Sequence, residues 1–216
     1  MAPHPDAHGS GPSHGGEHPQ GDRHSLKGSG LDLTVKFAVY GALPGGDADN
    51  AQAIDVTHKL QNLINNNGGI VACNDKNFGD PSSGNLKHFG ALVLRNGAQT
   101  FFACEENQTI DFNRGGGGFL VGDNPSPRGN LAVKFAVYGA LPGGDRSNCQ
   151  ASDVTRDLQK LLNDKGGQVV CNNESFPPDP AFGNAKHFAA VVNRNGRDFA
   201  FACAEGQTIN FENGGS

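Results

Sequence analysis

The sequence predicts a mainly β chain built from two tandem β-sandwich units, each carrying one short helix. Three observations point there. The stretch VKFAVYGALPGGD at Val35–Asp47 returns letter for letter at Val133–Asp145. Its apolar residues recur with period two, as a strand requires. Each copy then changes once to a helical spacing before returning to short apolar runs broken by Gly, Asn and Pro.

The repeated unit spans residues 31–112 and 131–216, with one extra proline in the second copy at Pro177–Pro178. A unit of about 80 residues can bury a core of its own, unlike a short solenoid repeat. Residues 113–130, NRGGGGFLVGDNPSPRGN, read as a flexible linker. Within it Phe119–Val121 is apolar and suited to docking on one unit. Residues 1–30, rich in Gly, Pro, Ser and His, have almost nothing to bury and read as a disordered tail.

Inside a unit, Val35, Phe37 and Val39 alternate with Lys36, Ala38 and Tyr40, a strand expected to bury one face. GALPGGD breaks it as a turn. Val56, Leu60, Leu63 and Ile64 then form one stripe of a short helix, with Asp55 placed to cap it and Gly68–Gly69 to close it. Val154, Leu158, Leu161 and Leu162 repeat the stripe behind Asp153. GIVACN reads as a strand and FGDPSSGN as a loop. KHFGALVLRNGAQTFFACEENQTIDF reads as strands around a hairpin, its turn at Asn96–Gly97 and again at Asn195–Gly196.

Composition excludes several function classes. The net charge is −5 with mixed signs, which argues against nucleic acid or an anionic membrane surface as partner. No apolar run reaches membrane-spanning length, so no membrane insertion is expected. No signal-peptide core follows Met1, so the expectation is a cytoplasmic chain or one released by a non-Sec route.

The order of motifs carries a resemblance. A strand ending in Tyr40–Gly41 is followed by DVTHKLQNLI, NFGDPSSGNLKHF and EENQTIDF. The most specific pieces are Asp55–Thr57 with Leu60–Gln61, and Asp80–Pro81 with Gly84 and Lys87. This pattern resembles the small sandwich domain at the C-terminus of certain mitochondrial DnaJ-like proteins. It also resembles Physarum hemagglutinin, a jelly-roll, legume-lectin-like sandwich. The resemblance covers both units and not the tail. It implies glycan binding and agglutination, with glycans or glycoproteins as partners. The DnaJ signature itself is absent, so no chaperone role is implied.

Candidate chemistry is sparse. FGDPSSGN and FPPDPAFGN each hold an Asp, an Asn, a Gly and an aromatic, with Lys and His just beyond. Planar acceptors and amides suit paired sugar hydroxyls, and an aromatic face suits the C–H side of a ring. Asp80, Asn85 and His88, and equally Asp179, Asn184 and His187, are therefore candidate ligand-binding sets. The other reading of the same residues is a structured turn. Phe182 occurs only in the second copy.

Asp47, Asp49 and Asp55 resemble a calcium loop, or serve as turn and helix-cap residues. The tail histidines His4, His8, His14, His18 and His24 suit loose zinc or copper binding, or a solvated low-complexity tail. Cys73 with Cys104, and Cys171 with Cys203, point inward by strand parity, either as one disulfide per unit or as buried thiols. Cys149, whose counterpart is Ala51, lies in a polar turn and is expected at the surface. Glu105 and Glu106 fall on opposite strand faces and cannot share one site. No phosphate loop, nucleophile elbow or metalloprotease helix is present. A non-enzymatic binding protein is the expectation. The other expectation is a structural protein that assembles with itself.

Overall fold

A computed structural model describes residues 32–118 and 123–215. The tail with its histidines, and Phe119–Val121, lie outside the described residues.

The chain is mainly β, and the two repeats share one topology. The first repeat runs β1 Leu33–Ala42, β2 Gln52–Asp55, α1 Thr57–Asn66, β3 Ile70–Ala72, α2 Asp75–Phe78, β4 His88–Arg95, β5 Ala98–Glu105 and β6 Thr109–Asp111. The second runs β7 Leu131–Ala140, β8 Gln150–Asp153, α3 Thr155–Lys165, β9 Gln168–Val170, β10 His187–Arg194, β11 Arg197–Ala204 and β12 Thr208–Asn210. Each has a four-stranded antiparallel sheet, β2-β1-β4-β5 or β8-β7-β10-β11, and a two-stranded one, β3-β6 or β9-β12. The expected fold class, tandem β-sandwich units each with a short helix, is the one observed.

Local sequence explains the elements. The N-cap of α1 is Val56, without a side-chain cap, and not Asp55; Asp55 instead accepts the Thr57 amide at 2.7 Å in a turn just before the helix. Leu60 and Ile64 bury the helical stripe. Both Asn-Gly hairpin turns place Asn at positive φ, 50° for Asn96 and 54° for Asn195.

The first strand departs from expectation. A register shift between Val35 and Phe37 marks a bulge, and from Ala38 onward every residue of β1 is buried. Both faces are covered because the sheet lies between two layers. Tyr40 packs on Phe78 on the helix side. Phe37 stacks on Phe135 of the other repeat, with ring centroids 5.6 Å apart. The four-stranded sheets thus bury each other, and Leu31–Ser216 is one compact unit. Phe135, Val137, Ala189, Val191, Ala200 and Ala202 of the second repeat belong to the same core as Val39, Ala91, Val93 and Phe101 of the first.

The glycine run also departs from a plain tether. Gly117 exchanges two backbone hydrogen bonds with Phe101, at 2.9 and 3.0 Å, and the Gly116 amide donates to the Cys149 carbonyl at 2.7 Å. This strap closes the seam between the edge strands β5 and β8. The C-terminal glycines close the opposite seam, where the Gly215 amide donates to the Ala51 carbonyl at 3.0 Å. The symmetry is reciprocal: Asp111 donates its amide to Arg146, and Asn210 donates its amide to Ala48, each at 2.9 Å. The repeats therefore meet around a local two-fold axis through self-complementary faces.

Candidate functional site

The loops that carry Asp80 and Asp179 are held from below by a buried lysine. Lys87 has only 4% of its side chain exposed, and its Nζ lies 2.9 Å from Asp75, 2.9 Å from Asp80 and 3.8 Å from Glu106. Asp75 sits in the first turn of α2, where the Asn74 side chain accepts the Asn77 amide at 3.1 Å. The Tyr40 hydroxyl donates to Asp75 at 2.9 Å. In the second repeat Lys186 lies 3.2 Å from both Asp179 and Glu205. Asn173, facing the Tyr138 hydroxyl, occupies the place of Asp75.

Electrostatics follow from this geometry. Burial pulls the Lys87 ammonium toward neutrality, but Asp75 and Asp80 outweigh it and hold its proton more tightly than usual. The hydrogen bond to Lys87 lowers Asp80 below the usual carboxylate range. Burial, then hydrogen bonding to Asp75 in one repeat and to Glu205 in the other, raises both tyrosines. Burial opposes ionisation of Glu205, yet the Lys186 amide, the Tyr138 hydroxyl and the Lys186 ammonium together lower it.

Each candidate ligand residue has a definite place. Asp80 also accepts the Ser82 amide at 3.0 Å, a turn that fixes the loop. Asn85 braces the same loop by donating to Ser82 Oγ and the Ser83 carbonyl. Asp179 and Asn184 do the same in the second copy, through the Ala181 amide and the Phe182 carbonyl. His88 and His187 leave the loops and meet each other across the two-fold axis, Nδ1 to Nδ1 at 2.9 Å. Asn85 and His88 come together on a cleft of about 290 Å³ with Leu43, Leu86, Ala204 and Gln207 at the junction of the repeats. Asp80 is not among its lining residues.

The tip of the second loop differs from the first. Phe182 is 92% exposed on a turn locked by Asp179 and Asn184. Its counterpart in the first repeat is Ser83. Leu86 is 52% exposed, and Ala185 takes its place in the second repeat.

The calcium candidates separate. Asp47 accepts the Asp49 amide, Asp55 accepts the Thr57 amide, and Asp49 accepts from the side chains of Asn210 and Asn213 of the other repeat. Among the described residues no cluster of three or more His, Cys, Asp or Glu is poised to hold a metal. All five cysteines are buried thiols. Burial, then the neighbouring thiol of Cys73 or Cys203, pushes Cys104 and Cys171 well above the ordinary thiol range. Cys149 is not at the surface. Its sulfur lies 3.4 Å from both the amide nitrogen and the carbonyl oxygen of Ala103, because the face bearing it is the one covered by the other repeat.

Sequence reasoning missed the lysine cages. Their trace was Tyr40, Asp80, Lys87 and Glu106 recurring as Tyr138, Asp179, Lys186 and Glu205. Glu106 faces Lys87 without Glu105, as opposite strand faces require. No helix among the described residues is long and apolar enough to cross a membrane. Comparison with known proteins finds no matching family model, no matching curated protein and no matching solved structure.

Proposed function

We propose that this chain is a non-enzymatic, bivalent carbohydrate-binding protein, a lectin or agglutinin, whose ligand face is formed by the loops around residues 80–85 and 179–184. The observation that carries the reading is Phe182. A phenyl ring held 92% exposed on a braced turn offers a flat apolar face to the C–H side of a sugar. Amide and hydroxyl groups of Ser83, Asn85 and Asn184 lie on the same loops and suit sugar hydroxyls. The ionised groups beneath are committed to salt bridges, which favours binding over acid–base chemistry. Both loops belong to one body, so two sites would engage at a fixed separation instead of on a slack tether.

The test is a glycan array with the folded chain, followed by titration of a binding sugar. Phe182→Ala should weaken binding about tenfold with an unchanged melting temperature, and Ser83→Phe should strengthen it. Silence across the array, or binding indifferent to Phe182, would overturn the reading.

A second reading, self-assembly through the sandwich, is favoured by exposed Val170 on the open strand β9 and by exposed Leu86. Light scattering that rises with concentration, and is reduced by Val170→Lys, would support it over the first.

A further inference from the structure

We propose that His88 and His187 form a two-proton latch that holds the repeats together and releases them in acid. The two imidazoles meet edge to edge and nearly coplanar, with centroids 5.1 Å apart and planes 17° apart, and they are only 4% and 5% exposed. A hydrogen bond between two Nδ1 atoms requires one ring to carry Nδ1–H and the other to present a bare lone pair. The pair is therefore asymmetric at this contact, although the residues are equivalent, and it holds at most one added proton.

Protons act on it in two steps. After the first, the charged ring still donates through Nδ1–H to its neutral neighbour, and the contact survives. After the second, two N–H groups and two like charges face each other in a buried interface, with no acceptor between them. Release thus takes up two protons.

The surroundings give the second charge little shelter. Glu105 stands opposite His88 on β5, and Gly41 opposite it on β1. Ala204 and Gly139 stand opposite His187. Glu205, just past the end of β11, raises the proton affinity of His187, but it already serves Lys186 and Tyr138. Lys87 and Lys186, adjacent in the chain, are held in their own cages. The cleft residues Leu43, Asn85 and Gln207 carry no charge. Close by, Gly90 approaches Ala189 so tightly that an added Cβ would sit 2.6 Å from the Ala189 Cβ, so the sheets are in close contact next to the latch.

Burial, then the neighbouring ring, pushes His88 down to about 3, and burial pushes His187 down to about 4. An open interface would let both titrate near the ordinary value of about 6.5. Between roughly pH 6 and 4.5 the closed-to-open ratio should fall about tenfold per pH unit for each proton, or about a hundredfold for two.

Cys149 reports the opening, since its sulfur is buried between the repeats, whereas Cys73, Cys104, Cys171 and Cys203 lie in the helix-side cores. The full chain is labelled with 4,4′-dithiodipyridine, which reacts with thiols in acid, and each cysteine is followed by peptide mass. The expected result is Cys149 labelling that accelerates about a hundredfold per pH unit, normalised to free cysteine, while the other four stay protected. In His88→Phe/His187→Phe, a pair that cannot titrate, that acceleration should vanish. Labelling of all five together, or an unchanged slope in the double variant, would overturn the proposal. NMR titration of the wild-type imidazoles decides independently if the variant does not fold. Both rings should remain neutral in the closed form at pH 5.5, and ordinary titration near 6.5 with Cys149 still protected would refute the latch.

Discussion

Gly117→Ala tests whether the glycine run is a seam or a tether. A Cβ built at Gly117 would lie 1.2 Å from the Ala151 carbonyl oxygen and 2.4 Å from its carbon. Both atoms are backbone and cannot rotate aside, so the strap must withdraw by about 2 Å to regain ordinary contact. Withdrawal breaks the two hydrogen bonds with Phe101 and strains the one from Gly116 to Cys149. At about 1 kcal/mol net for each bond, the expected loss is about 2–3 kcal/mol. For a unit of this size that lowers the melting temperature by roughly 4–12 °C. Gly118→Ala is the control, because its Cβ would meet nothing within 4 Å. The two variants are compared by calorimetry at equal concentration and pH. If Gly117→Ala melts with Gly118→Ala, the run is a tether and the seam assignment fails.

The remaining expectations concern charge and sulfur. Lys87→Met should destabilise by about 1–3 kcal/mol, discounted because Asp75 is about a third exposed, and urea melts should show the deficit shrinking as falling pH protonates the stranded carboxylates. Lys186→Met should cost less, since Asn173 replaces one carboxylate there; equal losses would refute the cage argument. In wild type both interface histidines have folded values below the unfolded one. Their contribution is therefore complete above about pH 6.5 and is lost on acidification toward 4, by about 1.4 kcal/mol per pH unit for each. Denaturant midpoints that do not move between pH 7 and 5 would contradict this. Burial pushes the Cys149 thiol up to about 12, and the native chain at pH 8 should not react with a bulky thiol reagent. In denaturant without reductant, all five thiols should titrate, and a lower count would reveal a disulfide.

Much of the fold is legible because local rules decide it. The helix stripe, the turn that Asp55 makes before α1 and the Asn-Gly turns each depend on residues a few positions apart. What the second repeat does to the first is harder to read. The run Ala38–Ala42 contains no charged residue, and that is the trace of a strand covered on both sides. Alternation across Val35–Tyr40 hides it, because Tyr40 is as apolar in its ring as Val39. The glycines of 115–117 look the same in composition whether they are slack or packed; only the position of Ala151 decides. His88 is a lone histidine within its own unit. Its partner is its own copy, which no spacing within a repeat can show.

Self-pairing of the repeats gives a physical reason for carrying both copies in one chain. A face that pairs with its own copy places equivalent residues against each other on the axis. Small residues tolerate this: Gly90 meets Ala189, and the sheets come close. A titratable residue on the axis does not tolerate it symmetrically, because two identical imidazoles bond only if their protons are arranged differently. Covalent fusion allows the halves to diverge around that asymmetry. Glu105 stands beside His88 where Ala204 stands beside His187, and Phe182 tips one loop where Ser83 tips the other. Swapping Glu105 and Ala204 between the repeats should therefore exchange which ring holds the Nδ1 proton, as read by nitrogen chemical shifts, and leave the fold unchanged. If the proton stays on the same ring, local charge does not set the asymmetry and the divergence needs another cause.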